Sequence, residues 1–224
     1  MRGSRQEKLI FINWLVSPAG TRPMPYLRSF KPRLQTSAML WFSDIRGGRV
    51  SSPTKFRRIY IPAPPFVKAI ALRRYARTFA LETFVETGTF FGDTTAAVAD
   101  LFGRCFTIEL SHELHSQAVK RLSGLRNVRC LQGDSGVELS RVLTEIDTPA
   151  LFWLDAHHSG GVTANAGYDP IFKELKSIYM HSIKTHVILV DDARGHDVER
   201  IIREAPPSHK ATARNDIIRI MPRI

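Results

Sequence analysis

From Thr83 onward the chain alternates short apolar runs with segments of helical period, and this rhythm limits the fold more than any other feature. Repeated apolar runs with helices between them are the pattern of a parallel sheet flanked by helices. Strands are expected at 83–87, 104–109, 127–131, 150–155 and 186–191, with helices at 93–102, 112–123, 136–144 and 168–180 between them. A fifth helix at 196–204 leads to two short strands, 209–213 and 216–221, joined at Arg214-Asn215-Asp216, where Asn and Asp suit a tight hairpin turn. That connection is too short for a parallel crossover, so the last strand enters antiparallel. The expected fold is α/β and Rossmann-like: a mostly parallel seven-stranded sheet, helices on both faces and an antiparallel last strand.

Upstream the character changes. At 224 residues the chain can bury one sizeable core and carry an appendage. The net charge of +11 is unevenly spread, since residues 1–75 hold 15 Lys and Arg against Glu7 and Asp44, whereas residues 76–224 hold 17 against 19 acids. An inference from charge to nucleic acid would therefore concern the N-terminal third and not the body. Residues 17–65 contain eight of the 13 prolines and no sustained period, which reads as loop or partial disorder. The expected division is a basic, proline-rich, irregular and partly disordered arm over 1–63 and a folded domain over 64–224.

The domain opens on an amphipathic helix from Phe66 to Leu81, just after Pro64-Pro65. Its apolar positions are Val67, Ile70, Ala71, Tyr75 and Phe79, and Lys68, Arg73, Arg74 and Arg77 form a solvated basic face. Leu9 to Val16 is an apolar patch behind Arg2, Arg5 and Lys8, far short of the ~20 residues of a membrane span. Ser17-Pro18-Ala19-Gly20 makes a poor cleavage site, so the expected location is cytoplasmic. Cys105 and Cys130 lie in apolar segments without metal-type spacing and read as reduced core thiols.

In an open α/β sheet, ligands bind beyond the carboxyl ends of the strands. In this chain those ends are acidic: Glu86, Glu109, Asp134 within Gly133-Asp134-Ser135, Asp155, and the pair Asp191-Asp192. One such acid is commonly a helix cap, but several at one rim require a cation or hydrogen bonds to offset their repulsion. The first strand runs into Glu86-Thr87-Gly88-Thr89-Phe90-Phe91-Gly92, with a helix opening at Asp93. Glycine in such a turn lets a ligand approach the backbone closely, which makes this a candidate nucleotide-type site. Glu109 ends the second strand and can accept hydrogen bonds from both hydroxyls of a ribose, Ser111 being the better cap for the helix that follows. Asp134 either caps the next helix or, with Ser135, meets the adenine end of such a ligand.

Taken in order, Glu86-Thr87-Gly88-Thr89-Phe90-Phe91-Gly92, Ile108-Glu109-Leu110-Ser111, Gln132-Gly133-Asp134-Ser135-Gly136, Phe152-Trp153-Leu154-Asp155-Ala156-His157-His158, Val187 through Arg194 and Asn215-Asp216 resemble the class I S-adenosylmethionine-dependent methyltransferases. Within that class the glycine spacing is similar to that of the bacterial metal-dependent, macrocin-type and catechol-type small-molecule O-methyltransferases. The resemblance covers about residues 64–221. It implies that Thr87, Gly88 and Gly92 frame the methionine moiety of S-adenosylmethionine, with Glu86 near its ammonium. Glu109 and Leu110 would meet the ribose, Asp134 and Ser135 the adenine, and Asp155 would complete the cofactor-binding set.

Asp155, Asp191 and Asp192 fall where the metal-dependent relatives place acidic ligands, and three carboxylates offer hard oxygens suited to Mg²⁺. The implied metal would bind the acceptor hydroxyl and lower its pKa. His158, three residues beyond Asp155, is the first candidate general base, with His157 second and Asp155 sharing the catalytic role. Two features depart from the pattern: the connection from Ala193 to Arg214 is short, and the basic arm matches nothing in it.

The implied activity is methyl transfer to an oxygen of a small hydroxylated acceptor, a sugar or secondary metabolite. A nicotinamide-dependent oxidoreductase is the alternative enzyme, weakened by the lack of G-x-G-x-x-G after the first strand. A non-catalytic binding protein working through the basic arm is the third reading. The expected partners are the small substrate and, as a candidate, a second copy of the chain; nucleic acid is not expected.

Overall fold

The computed structural model describes residues 65–156 and 170–223. The arm over 1–63, the patch from Leu9 to Val16, and both His157 and His158 lie outside the described residues. The strands are β1 (Thr83–Thr87), β2 (Arg104–Glu109), β3 (Val128–Gln132), β4 (Ala150–Leu154), β5 (Val187–Val190), β6 (His209–Arg214) and β7 (Ile217–Pro222). They form one seven-stranded sheet in the order β3-β2-β1-β4-β5-β7-β6. β1 to β5 run parallel, and β7 is antiparallel to both of its neighbours. This is the expected architecture, with every strand end within one residue of expectation.

The helices are α1 (Pro65–Thr78), α2 (Asp93–Val98), α3 (His112–Leu122), α4 (Ser135–Leu143), α5 (Ile171–Met180) and α6 (Val198–Glu204). Every residue of β1, β4 and β5 is buried, because helices cover both faces of the sheet. Side chains alternate between the faces along each strand. Val85, Phe152, Leu154 and Ile188 pack with Leu139 of α4, Leu175 of α5 and Ile201 of α6. Phe84, Leu151, Trp153 and Leu189 pack on the other side with Leu72 and Ala76 of α1 and Val98 of α2.

Several helix ends differ from expectation for local reasons. α1 stops at Thr78 and not Leu81, because Ala80 turns left-handed (φ 48°) and the Leu81 amide donates back to the Ala76 carbonyl at 2.9 Å. This is a Schellman-type closure that buries Leu81 against the core. α2 passes at Ala99 into a 3₁₀ turn over Ala99–Leu101. There the Asn127 amide donates to the carbonyls of Ala99 and Phe102, each at 2.8 Å, and so satisfies the helix end. α6 starts at Val198, where the Asp197 carboxylate accepts from the Arg200 amide at 3.0 Å.

From β1 the chain moves to β2 and β3 on one side, then returns to build β4 and β5 on the other. The connections therefore part above the carboxyl ends of β1 and β4, the topological switch point where such sheets bind ligands.

Candidate functional site

The turn after β1 packs directly on the end of β4. A Cβ at Gly88 would stand 2.5 Å from the Asp155 carbonyl oxygen, and its φ of +80° is left-handed, so only glycine fits. Asp155 in turn donates its amide to the Thr87 carbonyl at 3.0 Å, and Asp191 its amide to Leu154 at 3.0 Å. On the other side Gly88 and Thr89 both donate to the Ile108 carbonyl, at 2.9 and 3.2 Å, and Gly133 donates to the Glu109 carbonyl at 2.9 Å. A line of backbone hydrogen bonds thus ties Gly133, Glu109, Gly88, Asp155 and Asp191 into one rim. Gly92 (φ +78°) ends the turn, its own Cβ position blocked by Leu122 of α3 at 2.9 Å.

Side chains along β1 diverge by strand alternation. Glu86 faces α2 and lies beneath the turn, 1% exposed, its Oε2 accepting from the hydroxyls of Thr95 at 2.6 Å and Thr107 at 2.7 Å. Burial pushes its carboxyl up to about 8 despite those two bonds, so at neutral pH it is largely protonated. Thr87 points to the opposite face, where its hydroxyl donates to Glu174 of α5 at 3.4 Å. Glu174 is itself 1% exposed, an acid beneath the rim that helical amphipathicity does not reveal.

Glu109 receives the Phe90 amide on Oε2 at 2.8 Å and the Ser111 amide on Oε1 at 2.9 Å. Each oxygen keeps a lone pair, so the carboxylate still suits a ribose diol. Ser111 caps α3 through the Leu114 amide, as expected, which leaves Glu109 free of capping. Asp134 caps α4 through the Gly136 amide at 2.9 Å, with Ser135 buried behind it. Leu110, Phe90 and Phe91 are exposed apolar side chains beside Glu109. Glycine turn, diol acceptor and apolar surround fit a nucleoside sulfonium.

The acids after β4 and β5 are arranged differently from expectation. Asp191 is fully buried, its Oδ2 in contact with the Lys68 ammonium of α1 and its Oδ1 accepting the Asp192 amide at 2.8 Å. Burial and the charge of Asp155 push its carboxyl up, and Lys68 and the Asp192 amide oppose that. For Lys68, burial alone would lower the pKa, but the charges of Asp191, Asp155 and Asp192 outweigh it and the net shift is upward. The ammonium is therefore protonated across the neutral range, and Asp191 is the member of the pair that takes up a proton on acidification. Asp192 (φ 46°) has Arg194 Nη1 3.0 Å from its Oδ1, and the same nitrogen contacts Asp216.

As they stand, Asp155, Asp191 and Asp192 do not fit a divalent ion. Both oxygens of Asp191 are engaged, one by an ammonium, and an arginine sits on Asp192. Among the described residues no three His, Cys, Asp or Glu side chains are grouped to hold a metal. The basic face of α1 is not simply solvated either: Lys68 reaches the rim, and Arg73 grips Asp100 through two bonds of 2.6 Å. Cys105 is a buried free thiol pushed up to about 12 by burial, and Cys130 is a half-buried one.

Among solved structures, the chain is similar to the O-methyltransferase TomG of Streptomyces achromogenes, involved in tomaymycin synthesis and bound to S-adenosylmethionine. The identity is 17%, the coverage 98% of this chain and 99% of that one, and the TM-score 0.55. The S-adenosylhomocysteine-bound methyltransferase PaMTH1 of Podospora anserina matches at 14% identity, over 88% of this chain and 100% of that one, with a TM-score of 0.54. An O-methyltransferase of Bacillus cereus with S-adenosylhomocysteine matches at 12% identity, over 87% and 93%, with a TM-score of 0.52.

The chain has the class I methyltransferase fold. No protein-family model matches the sequence, and neither does any curated protein. The likeness is thus one of fold, and within the methyltransferase fold the switch point between β1 and β4 coincides with the rim described above. Among the described residues no helix of this methyltransferase fold is long and apolar enough to cross a membrane.

Proposed function

We propose that the domain over 64–224 transfers a methyl group from S-adenosylmethionine to an oxygen of a small hydroxylated acceptor, a sugar or secondary metabolite. One observation carries this reading: Gly88, Glu109, Gly133 and Asp155 share a single hydrogen-bonded rim at the switch point of a methyltransferase fold, with Asp134 the residue after Gly133. S-adenosylmethionine supplies an electrophilic methyl carbon, whose bond to sulfur breaks as the acceptor oxygen bonds to it, the electron pair staying on sulfur. Thr87, Gly88 and Gly92 give it a close backbone bed, Glu109 and Leu110 hold the ribose, and Asp134 and Ser135 border the adenine. Glu86 supports the turn from below, and the ammonium that the resemblance implies near it would draw it toward the ionised form.

The acceptor proton passes to a base on the segment after β4, for which Asp155 and His158 are the candidates. A divalent metal is not part of this reading, since Lys68 already holds Asp191. The test is to incubate the protein with S-adenosylmethionine and a panel of hydroxylated acceptors. The expected result is S-adenosylhomocysteine release together with a product heavier by one CH₂ and methylated at oxygen. Methylation at nitrogen or carbon in that panel would contradict the oxygen assignment.

A further inference from the structure

Lys68 is the fourth residue of α1, a helix that precedes the sheet and supplies none of the strand ends, yet its ammonium reaches Asp191 at the end of β5. Lys68, Leu72 and Ala76 recur every four residues, and the last two are core residues, so Lys68 stands on the face turned to the sheet. Its long stem lets it deliver the charge at the rim, on Asp191. Asp155, Asp191 and Asp192 end neighbouring strands and repel one another, and Asp191 has no exposed side-chain surface through which water could offset its charge. A buried carboxylate persists only with a positive partner or several hydrogen bonds. In this chain that partner is covalently built in.

We propose that the Lys68 ammonium is the resident cation of this acidic rim, closing it to divalent metals and presenting its remaining N–H bonds to the acceptor oxygen. An ammonium has three N–H bonds, and Asp191 takes one. The side chain keeps 20% of its surface exposed, so Lys68 is not sealed beneath the rim. Lys68 gives up no proton in this role; it steadies the charge that develops on the acceptor oxygen as the new bond forms. Only this second clause rests on the methyl-transfer reading. Metal exclusion stands on the charges alone.

The experiment is Mn²⁺ uptake followed by electron paramagnetic resonance on wild type, Lys68→Gln and Lys68→Arg, each checked for folding by thermal melting. Lys68→Gln takes up one Mn²⁺ per chain at least about tenfold more tightly than wild type, a gap of ~1.4 kcal/mol, and Lys68→Arg stays with wild type. Equal uptake by wild type and Lys68→Gln, or none by either, overturns the proposal. Should Lys68→Gln fail to fold, wild type labelled with ¹⁵N-lysine decides. A Lys68 Nζ resonance unmoved by Mg²⁺ supports exclusion, and displacement of that signal overturns it. Parallel titration with S-adenosylhomocysteine separates the two readings, because failure there removes the cofactor assignment and leaves the metal result standing.

Discussion

His186 stands just before β5, 2% exposed, its Nδ1 accepting the Ala150 amide at 3.1 Å and its Nε2 2.8 Å from Nδ1 of His181. An amide only donates, so Nδ1 carries no proton and the neutral ring donates from Nε2 to His181. Burial, then the positive charges of His181, His209 and Lys184, push its pKa down from 6.5 to about 4. Between those values the unfolded chain binds the proton and the folded one does not, so stability falls as pH drops from 6.5 toward 4. Glu86 works in the opposite sense, its raised pKa adding stability as pH falls from about 8 toward 4.5. The histidine contribution is therefore read as the difference between wild type and His186→Gln in urea titrations. Above pH 6.5 that difference is flat. Below it wild type loses about 1 kcal/mol per pH unit relative to the variant. Parallel profiles would show that His186 does not govern acid sensitivity.

At the scale of elements, the β6–β7 hairpin holds the segment that follows β5. Arg214 pairs with Ile217 across the turn, and Asn215 (φ 52°) and Asp216 (φ 58°) are both left-handed, the requirement of a two-residue type I′ turn. Asp216 also accepts the Arg194 amide on Oδ1 at 3.0 Å and the Ala193 amide on its carbonyl at 2.9 Å, bracing the loop that carries Asp192. Glycine at either turn position removes the backbone strain, so the two substitutions differ only in lost side-chain contacts. Asn215→Gly leaves stability within about 1 kcal/mol of wild type. Asp216→Gly lowers it by about 1–3 kcal/mol, because the Arg194 amide loses its acceptor. Equal effects in denaturant melts would mean that the Asp216 side chain braces nothing.

This hairpin was legible in the sequence because Asn-Asp is a local signal, as were the strands, whose burial on both faces leaves continuous apolar runs. Lys68 was not legible as a rim residue: its partner lies 123 positions away, and a basic residue in an amphipathic helix looks solvated unless its spacing to Leu72 and Ala76 is weighed. Glu174 was hidden in the same way, 87 positions from Thr87.

For the whole molecule, the order β3-β2-β1-β4-β5-β7-β6 brings the carboxyl ends of five parallel strands to one edge, and acids and glycines 100 residues apart in sequence become neighbours there. Local pattern located each of these strand ends, whereas how their charges are neutralised depends on tertiary packing. That edge is the proposed seat of the methyl donor. Calorimetric titration of wild type, Glu109→Ala and Gly88→Val with S-adenosylhomocysteine tests it most directly. Wild type should bind one equivalent saturably, Glu109→Ala at least about tenfold more weakly, and Gly88→Val not detectably. No binding by wild type, or the same affinity in Glu109→Ala, would contradict it.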